Sequence, residues 1–311
     1  AKRFGQTSLP YYDLDLEFPS GNAVPEGTPA ELVAKAQSMY QEMSPATGEF
    51  FEMMIARDAM DLVAHKGKMS GGYAEFMPKW QLPIIFANFN GTSGDIDVLT
   101  HEAGHAFQSY QARWIAWNEM QFPSTEAAEI FSMSMEFLAY PYLERFFGPQ
   151  TAKYKYSHLA GTLTFLPYGA LVDEFQDEVY THPEMSPAER KELWRKLEQE
   201  YLPYKDYQDN DGLERGLYWM RQGHIFTTPF YYIDYTIAQV VAQQFYQRAI
   251  LQHDDTAFAD YQTMATAGGS KTLMELIELG HLQSPFAGDT MQKIVADLEA
   301  QLDAVPESDL Q

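Results

Sequence analysis

Along most of this 311-residue chain, apolar residues recur three and four positions apart, a spacing that confines the fold to helices packed on helices. The pattern runs through residues 50–66 (FFEMMIARDAMDLVAHK), 95–117, 124–147 and the long segment from Thr151 to Tyr180. It resumes around Tyr231, continues to Ile250, and returns from Met291 to Leu302. Two helix starts are explicit. Thr28-Pro29-Ala30-Glu31 and Ser186-Pro187-Ala188-Glu189 each place a hydroxyl at the cap, proline at the first helical position and Glu at the third, so that side chains and free amides satisfy one another. The second opens a charged stretch with Leu193, Leu197 and Tyr201 on one stripe, which reads as a solvated surface helix. Only Gly72 to Met77 and Leu82 to Phe89, β-branched and aromatic between Gly and Pro, read as strands. The expectation is a mainly α fold with a small β-sheet. Residues 1–27, rich in Pro, Gly and isolated aromatics, read as an extended lead-in draped over the rest, and residues 28–311 as one domain.

Composition removes several classes of partner. With 44 Asp and Glu against 21 Lys and Arg, the formal charge of −23 repels phosphate backbones and anionic lipid, so neither nucleic acid nor a membrane surface is expected. The longest nearly unbroken apolar run, Leu82 to Phe89, falls far short of the roughly 20 residues that span a bilayer. The first residues, AKRFGQTSLPYYD, carry no apolar stretch behind their basic pair and do not read as a secretory signal. With no cysteine, thiol nucleophiles and disulfides are excluded, and any metal must be held by His, Asp or Glu. A reducing, cytoplasmic setting fits.

Against that background His101-Glu102-Ala103-Gly104-His105 stands out. Ile96, Leu99, Ala103, Ala106, Phe107 and Tyr110 surround it at helical spacing, after the capping and acidic residues Thr92-Ser93-Gly94-Asp95. On a helix, His101 and His105 share a face and can offer two imidazoles to one zinc ion. Glu102, about 100° round the cylinder, reaches a water beside the metal rather than the metal itself. Gly104 costs about 1 kcal/mol relative to Ala inside a helix, which points to close packing at that spot. A third ligand is needed, and the next helix offers Glu126, Glu129 and Glu136. Glu129 is the choice, because its apolar neighbours Ala127, Ala128, Ile130, Phe131, Met133 and Met135 make an unpaired carboxylate costly there. Glu126 is the alternative ligand. Glu136, two turns on, suits an acceptor for a ligand imidazole, with Asp97 a weaker candidate for that role.

A second cluster, Gln222-Gly-His-Ile-Phe-Thr-Thr-Pro-Phe-Tyr-Tyr-Ile-Asp-Tyr235, carries neutral donors suited to a developing oxyanion. Tyr232 and Tyr235 would point the same way from a helix beginning near Pro229, with His224 on the preceding loop. The histidines His65, His158, His182, His253 and His281 have no partner spacing and read as ordinary.

These stretches resemble a known family. HEAGHAFQSY, EAAEIFSMSMEF, the H-x5-FYYIDY cluster, IFANFNGTSGDIDVLTHEAGH and GGSKTLMELIELGHLQSPF together are similar to the oligoendopeptidase F group of the M3 (thimet oligopeptidase-like) zinc metallopeptidases, over about Lys66 to Pro285. The resemblance implies a zincin-like helical catalytic domain whose small sheet lines the active-site cleft. It implies one zinc on His101, His105 and Glu129, with Glu102 as general base and Glu136 closing a Glu-x6-Glu pattern. It further implies that His224, Tyr232 and Tyr235 bind the substrate carbonyl, and that Phe86 to Phe89 forms an edge strand alongside an extended peptide. The activity implied is zinc-dependent endoproteolysis of short unstructured oligopeptides. The chain departs from the family pattern HExGHxxH at Gln108. The spacing from His224 leaves open which of Tyr231, Tyr232 and Tyr235 faces the zinc. Family members are also longer, with an N-terminal helical half walling the substrate channel, so a missing N-terminal half or a partner chain is expected. A zinc carboxypeptidase or dipeptidase of a related helical group, or a non-catalytic zinc-stabilised peptide-binding module, are the alternatives.

Overall fold

The computed structural model describes residues 1–311 apart from the side chain of residue 2, and its order is mainly helical with one three-stranded sheet. Helix α1 (Pro29–Met43) opens with the reciprocal Thr28–Glu31 cap, and α2 (Pro45–Ala56) with the Ser44 side chain accepting from the Thr47 amide. The helical spacing over residues 50–66 does not hold to its end. After Asp58, which takes a left-handed φ of 49°, the chain turns into strand β1 (Met60–Val63). A ladder with a strand distant in sequence outweighs the local helical pattern there.

Strand β2 (Tyr73–Met77) returns through a turn ending at Gln81, φ 48°, into β3 (Leu82–Phe89). The order is β1-β3-β2. β3 pairs in parallel with β1 (Met60 opposite Ile85, Asp61 opposite Phe86) and antiparallel with β2 (Tyr73 opposite Phe86, Met77 opposite Leu82). Phe86 to Phe89 therefore belong to the central strand, which corrects the expected edge position: β1 supplies the second neighbour that the helical reading of residues 50–66 concealed. The two edges of the sheet are β1 and β2. Along β3, Ile85, Ala87 and Phe89 face the core while Phe86 stacks on Tyr73 at 4.9 Å on the other face.

Helix α3 (Gly94–Ala112) lies on this sheet and packs against α4 (Thr125–Leu138). A short α5 (Glu144–Phe147) leads to the long α6 (Thr151–Thr181), which carries Pro167 in its interior. Helix α7 (Pro187–Tyr201) has the expected Ser186–Glu189 cap but is not wholly solvated: it buries Trp194, Leu197 and Glu198 against α6. The buried Glu198 carboxylate accepts from the Tyr207 hydroxyl at 2.5 Å and faces Lys205 and Arg195 at 3.3 Å, which compensates its charge. Short helices α8 (Asp211–Glu214) and α9 (His224–Thr227) precede α10 (Tyr232–Tyr246), which packs on α4 and α6. Then follow α11 (Ala257–Ala267), α12 (Leu273–Leu279), opened by a third reciprocal cap at Thr272–Glu275, and α13 (Thr290–Asp303).

Two apolar cores result. The larger joins α1 to α4, the sheet, α10, α11 and α13 around Phe50, Phe107, Phe131, Phe137 and Tyr261. The smaller sits between α6 and α7 around Leu171, Val172, Phe175, Trp194, Leu197 and Leu202. Residues 1–27 lie along the side of α6 to α8. Phe18 is fully buried, the Tyr11 amide donates to the Asp206 carbonyl, and the Glu26 amide donates to the Phe146 carbonyl. Among the described residues no helix is long and apolar enough to cross a membrane.

Candidate active site

The start of α3 is held by Asp95, whose carboxylate accepts the amides of Asn90 and Gly91 at 2.8 Å each; Ser93, at the cap position, contributes no side-chain bond. This tight turn delivers the sheet directly into the helix and aims one face of α3 at α4. His101 and His105 sit on that face with ring centroids 5.1 Å apart. Glu129 of α4 meets both: its Oε2 lies 3.2 Å from Nε2 of His101 and 3.2 Å from Nε2 of His105. Glu126 points outward and is exposed.

The approach of the two helices depends on Gly104. A Cβ there would lie 2.4 Å from the Phe131 carbonyl oxygen and 2.6 Å from the Ser132 Cα, so the backbone of α4 occupies the space a side chain would need. Glu129 is further held from its own side. The Ser132 hydroxyl donates to Oε2 at 2.9 Å, and the Tyr231 hydroxyl donates to Oε1. Burial opposes ionisation of Glu129, but the charge of His105 and hydrogen bonds from both histidines outweigh it and hold its pKa well below the carboxylate norm.

Behind His101 runs a buried polar chain. His101 Nδ1 lies 2.7 Å from Glu136 Oε1, Glu136 Oε2 lies 2.7 Å from His158 Nε2, and His158 Nδ1 lies 2.8 Å from the Tyr140 hydroxyl. His158 is thus no ordinary histidine; it completes the environment of Glu136 from α6. Burial would raise the Glu136 pKa, yet hydrogen bonds from His101 and His158 win and hold it down at about 2. For His101, burial pulls the pKa down, and the bonds to Glu129 and Glu136 more than reverse it. Asp97 does not bond the imidazole. It accepts from Tyr154 at 2.5 Å, and burial lifts its pKa to about 6. Glu136→Gln should weaken metal affinity by about 10- to 100-fold, as removal of an imidazole's outer partner typically does. Competition with a chromogenic chelator measures this, and unchanged affinity would remove Glu136 from the site.

Three observations fit a metal ion such as zinc. One nitrogen from each histidine and a Glu129 oxygen all lie within 4.8 Å of one another. The donor set is two imidazoles and one carboxylate, a combination suited to a catalytic zinc with an open position. Next to them Glu102 is buried, with Oε2 lacking any hydrogen-bond partner among the described residues. An orphaned carboxylate oxygen is costly unless a bound species satisfies it. Burial raises the Glu102 pKa beyond what the His101 and His105 charges take away.

Opposite lies the donor cluster. Phe230 adopts a left-handed φ of 64°, its amide donating to Gln176 at 2.9 Å, and α10 begins at Tyr232 rather than near Pro229. His224 lies flat against Tyr231 (6.0 Å, 13°) and edge-on to Tyr232 (5.2 Å) and Tyr235 (5.8 Å). Of the three tyrosines, Tyr231 reaches the cluster of His101, His105 and Glu129, through Glu129. Tyr235 packs edge-on to Tyr231 at 5.2 Å, while Tyr232 turns toward Tyr168 and Phe165. A cavity of about 450 Å3 borders His224, Tyr232 and Tyr235 and is also lined by Met133 and Phe165. Burial raises the pKa of all three phenols, that of Tyr232 to about 12, and lowers that of His224, so the cluster presents neutral donors near pH 7. Gln108 is buried, its amide donating to the Gln121 carbonyl at 3.1 Å, a packing role on the same face of α3 as the two histidines but nearer the helix's C-terminal end. The sequence carried no local signal for the roles of Tyr231 and His158, since each meets its partner across helices.

The comparisons agree with this architecture. The model of peptidase family M3 matches residues 40–295. Among solved structures, one described as an oligoendopeptidase F is 51% identical with a TM-score of 0.95, covering 98% of this chain and 54% of that one. PZ peptidase A with an inhibitor is 49% identical with a TM-score of 0.96, covering 100% and 55%. A structure described as an oligoendopeptidase F from Bacillus anthracis str. Ames is 46% identical with a TM-score of 0.89, covering 99% and 52%. The chain spans about half the length of these proteins. No curated protein matches it.

Proposed function

The chain belongs to peptidase family M3, and from that premise we propose that it is a zinc-dependent endopeptidase cleaving short, unstructured peptides. The observation that carries this reading is the convergence of His101, His105 and Glu129 beside the unpartnered carboxylate of Glu102, with His224 and the tyrosines opposite. His101, His105 and Glu129 would hold the zinc, which supplies Lewis acidity at the scissile carbonyl and lowers the pKa of the attacking water.

The remaining chemistry falls to side chains. Glu102 takes a proton from the attacking water on its carboxylate and delivers it to the leaving amine, work for which its burial-raised pKa is suited. His224, Tyr232 and Tyr235 donate hydrogen bonds as negative charge develops on the carbonyl oxygen. Tyr231 orients Glu129, and Glu136 orients His101. The open edge of β2 offers unpaired backbone groups to an extended peptide. Residues 28–311 form the catalytic unit in this reading, with 1–27 as its lead-in. An N-terminal half of the same protein, or a partner chain, walls the substrate channel. The absence of cysteine fits a cytoplasmic setting.

The test is cleavage of an internally quenched peptide with both termini blocked, by the chain alone and with the N-terminal half supplied. Cleavage in either arm that disappears on chelation and returns with zinc is the expected result. Cleavage only of peptides with a free terminus would replace the endopeptidase reading by an exopeptidase one. Bound zinc without cleavage in either arm would leave a peptide-binding module.

A further inference from the structure

We propose that Gln222 is a positioning residue that fixes His224 with its proton on Nε2. A neutral imidazole has one donor and one acceptor nitrogen, and the partner of one decides what the other presents. In this structure Gln222 Nε2 lies 2.7 Å from His224 Nδ1, and the Tyr168 hydroxyl lies 2.8 Å from Gln222 Oε1. These three groups form a chain running from α6 to the donor loop. A phenol donates more readily than it accepts, so Tyr168 bonds the carboxamide oxygen and turns the amide nitrogen toward His224. Nδ1 then accepts, and the ring proton resides on Nε2.

Both ends of the chain are braced. Tyr168 packs edge-on against Tyr232 at 5.7 Å and Trp194 at 6.5 Å, tying it to the smaller core. The His224 ring is flanked by Tyr231, Tyr232 and Tyr235, which restrict its rotation. Among the described residues Nε2 makes no hydrogen bond of its own, which leaves it for a ligand. The consequence is chemical. An imidazole carrying its proton on Nε2 can stabilise a developing oxyanion there, whereas the other tautomer would present a lone pair and repel it.

The kinetic part of this inference rests on the peptidase reading; the tautomer itself does not. The experiment labels the 8 histidines with 15N and 13C and identifies His224 by the signal lost in His224→Gln. The parent protein should show the Nε2-protonated form. In Gln222→Glu the carboxylate draws the proton onto Nδ1, and Gln222→Leu, which offers no partner, gives a mixture of tautomers. If parent peptide cleavage is measurable, kcat should fall about a hundredfold in Gln222→Glu, the scale of losing one oxyanion donor. KM should change less than about twofold and bound zinc not at all. A parent protonated on Nδ1 overturns the proposal, as does a Gln222→Glu variant with switched tautomer and parental kcat. Absence of cleavage in the parent would count against the peptidase reading alone, because the tautomer measurement still decides the hydrogen-bond chain.

Discussion

Glu102→Gln should abolish peptide hydrolysis while the protein keeps its zinc. The substitution preserves size and shape in a buried position and removes the capacity to accept a proton. General-base catalysis contributes about 10²- to 10⁴-fold, so activity should fall by about 10³-fold or more. Zinc content should stay at the parental level, because the three converging donors are His101, His105 and Glu129, and Glu102 is not among them. Elemental analysis and a quenched-peptide assay on the same sample check both halves of the statement. Cleavage at the parental rate would rule out Glu102 as the base. The metal-free protein should also become more stable, since the parental Oε2 is buried without a partner, and an amide is cheaper to bury than an unpaired carboxylate.

Gly104→Ala should be the most damaging single methyl group that can be added to this site. The new Cβ would meet the Phe131 carbonyl oxygen at 2.4 Å and the Ser132 Cα at 2.6 Å. Both are backbone atoms of α4, which no side-chain rotation can move aside. Helices α3 and α4 must separate, at a cost of about 3 kcal/mol or more, the upper range for overpacked cores. That contact lies between the histidines and Glu129, so zinc affinity should fall along with stability. Denaturant unfolding of the metal-free protein and a chelator competition measure the two effects separately. A variant with parental values in both would mean the helices have slack that the observed contact denies.

How much of this was legible in the sequence follows from where each partner lies. His101, Glu102 and His105 were readable because one helix carries all three, and spacing on a helix sets direction. Glu129 was readable as a carboxylate amid apolar neighbours, and Gly104 as an interior glycine needing a reason. The rest required contacts that spacing does not encode. β1 looked helical because Met60 to Val63 continue the apolar pattern of α2, and only pairing with β3 makes them a strand. That one misreading also put Phe86 to Phe89 at an edge. Tyr231 meets Glu129 across 102 positions, His158 meets Glu136 across 22, and Tyr168 meets Gln222 across 54. Aromatic and polar residues that partner at such distances leave no periodic trace.

The two cores divide the candidate site between them. The face of α3 and α4 that carries His101, His105 and Glu129 rests on the larger core, as does Tyr235, whereas Tyr232, Trp219 and Ile225, the residue next to His224, pack on the smaller one. Helix α6 runs through both, and Pro167, which withholds a backbone hydrogen bond, falls between Leu166 of the larger core and Leu171 of the smaller. A core of six buried side chains should open at lower free energy than the larger body it leans on. Warming should therefore loosen the α6–α7 arm, and with it the placement of His224 opposite His101, His105 and Glu129, before it unfolds the larger core, an order that hydrogen exchange in α7 and α4 measures.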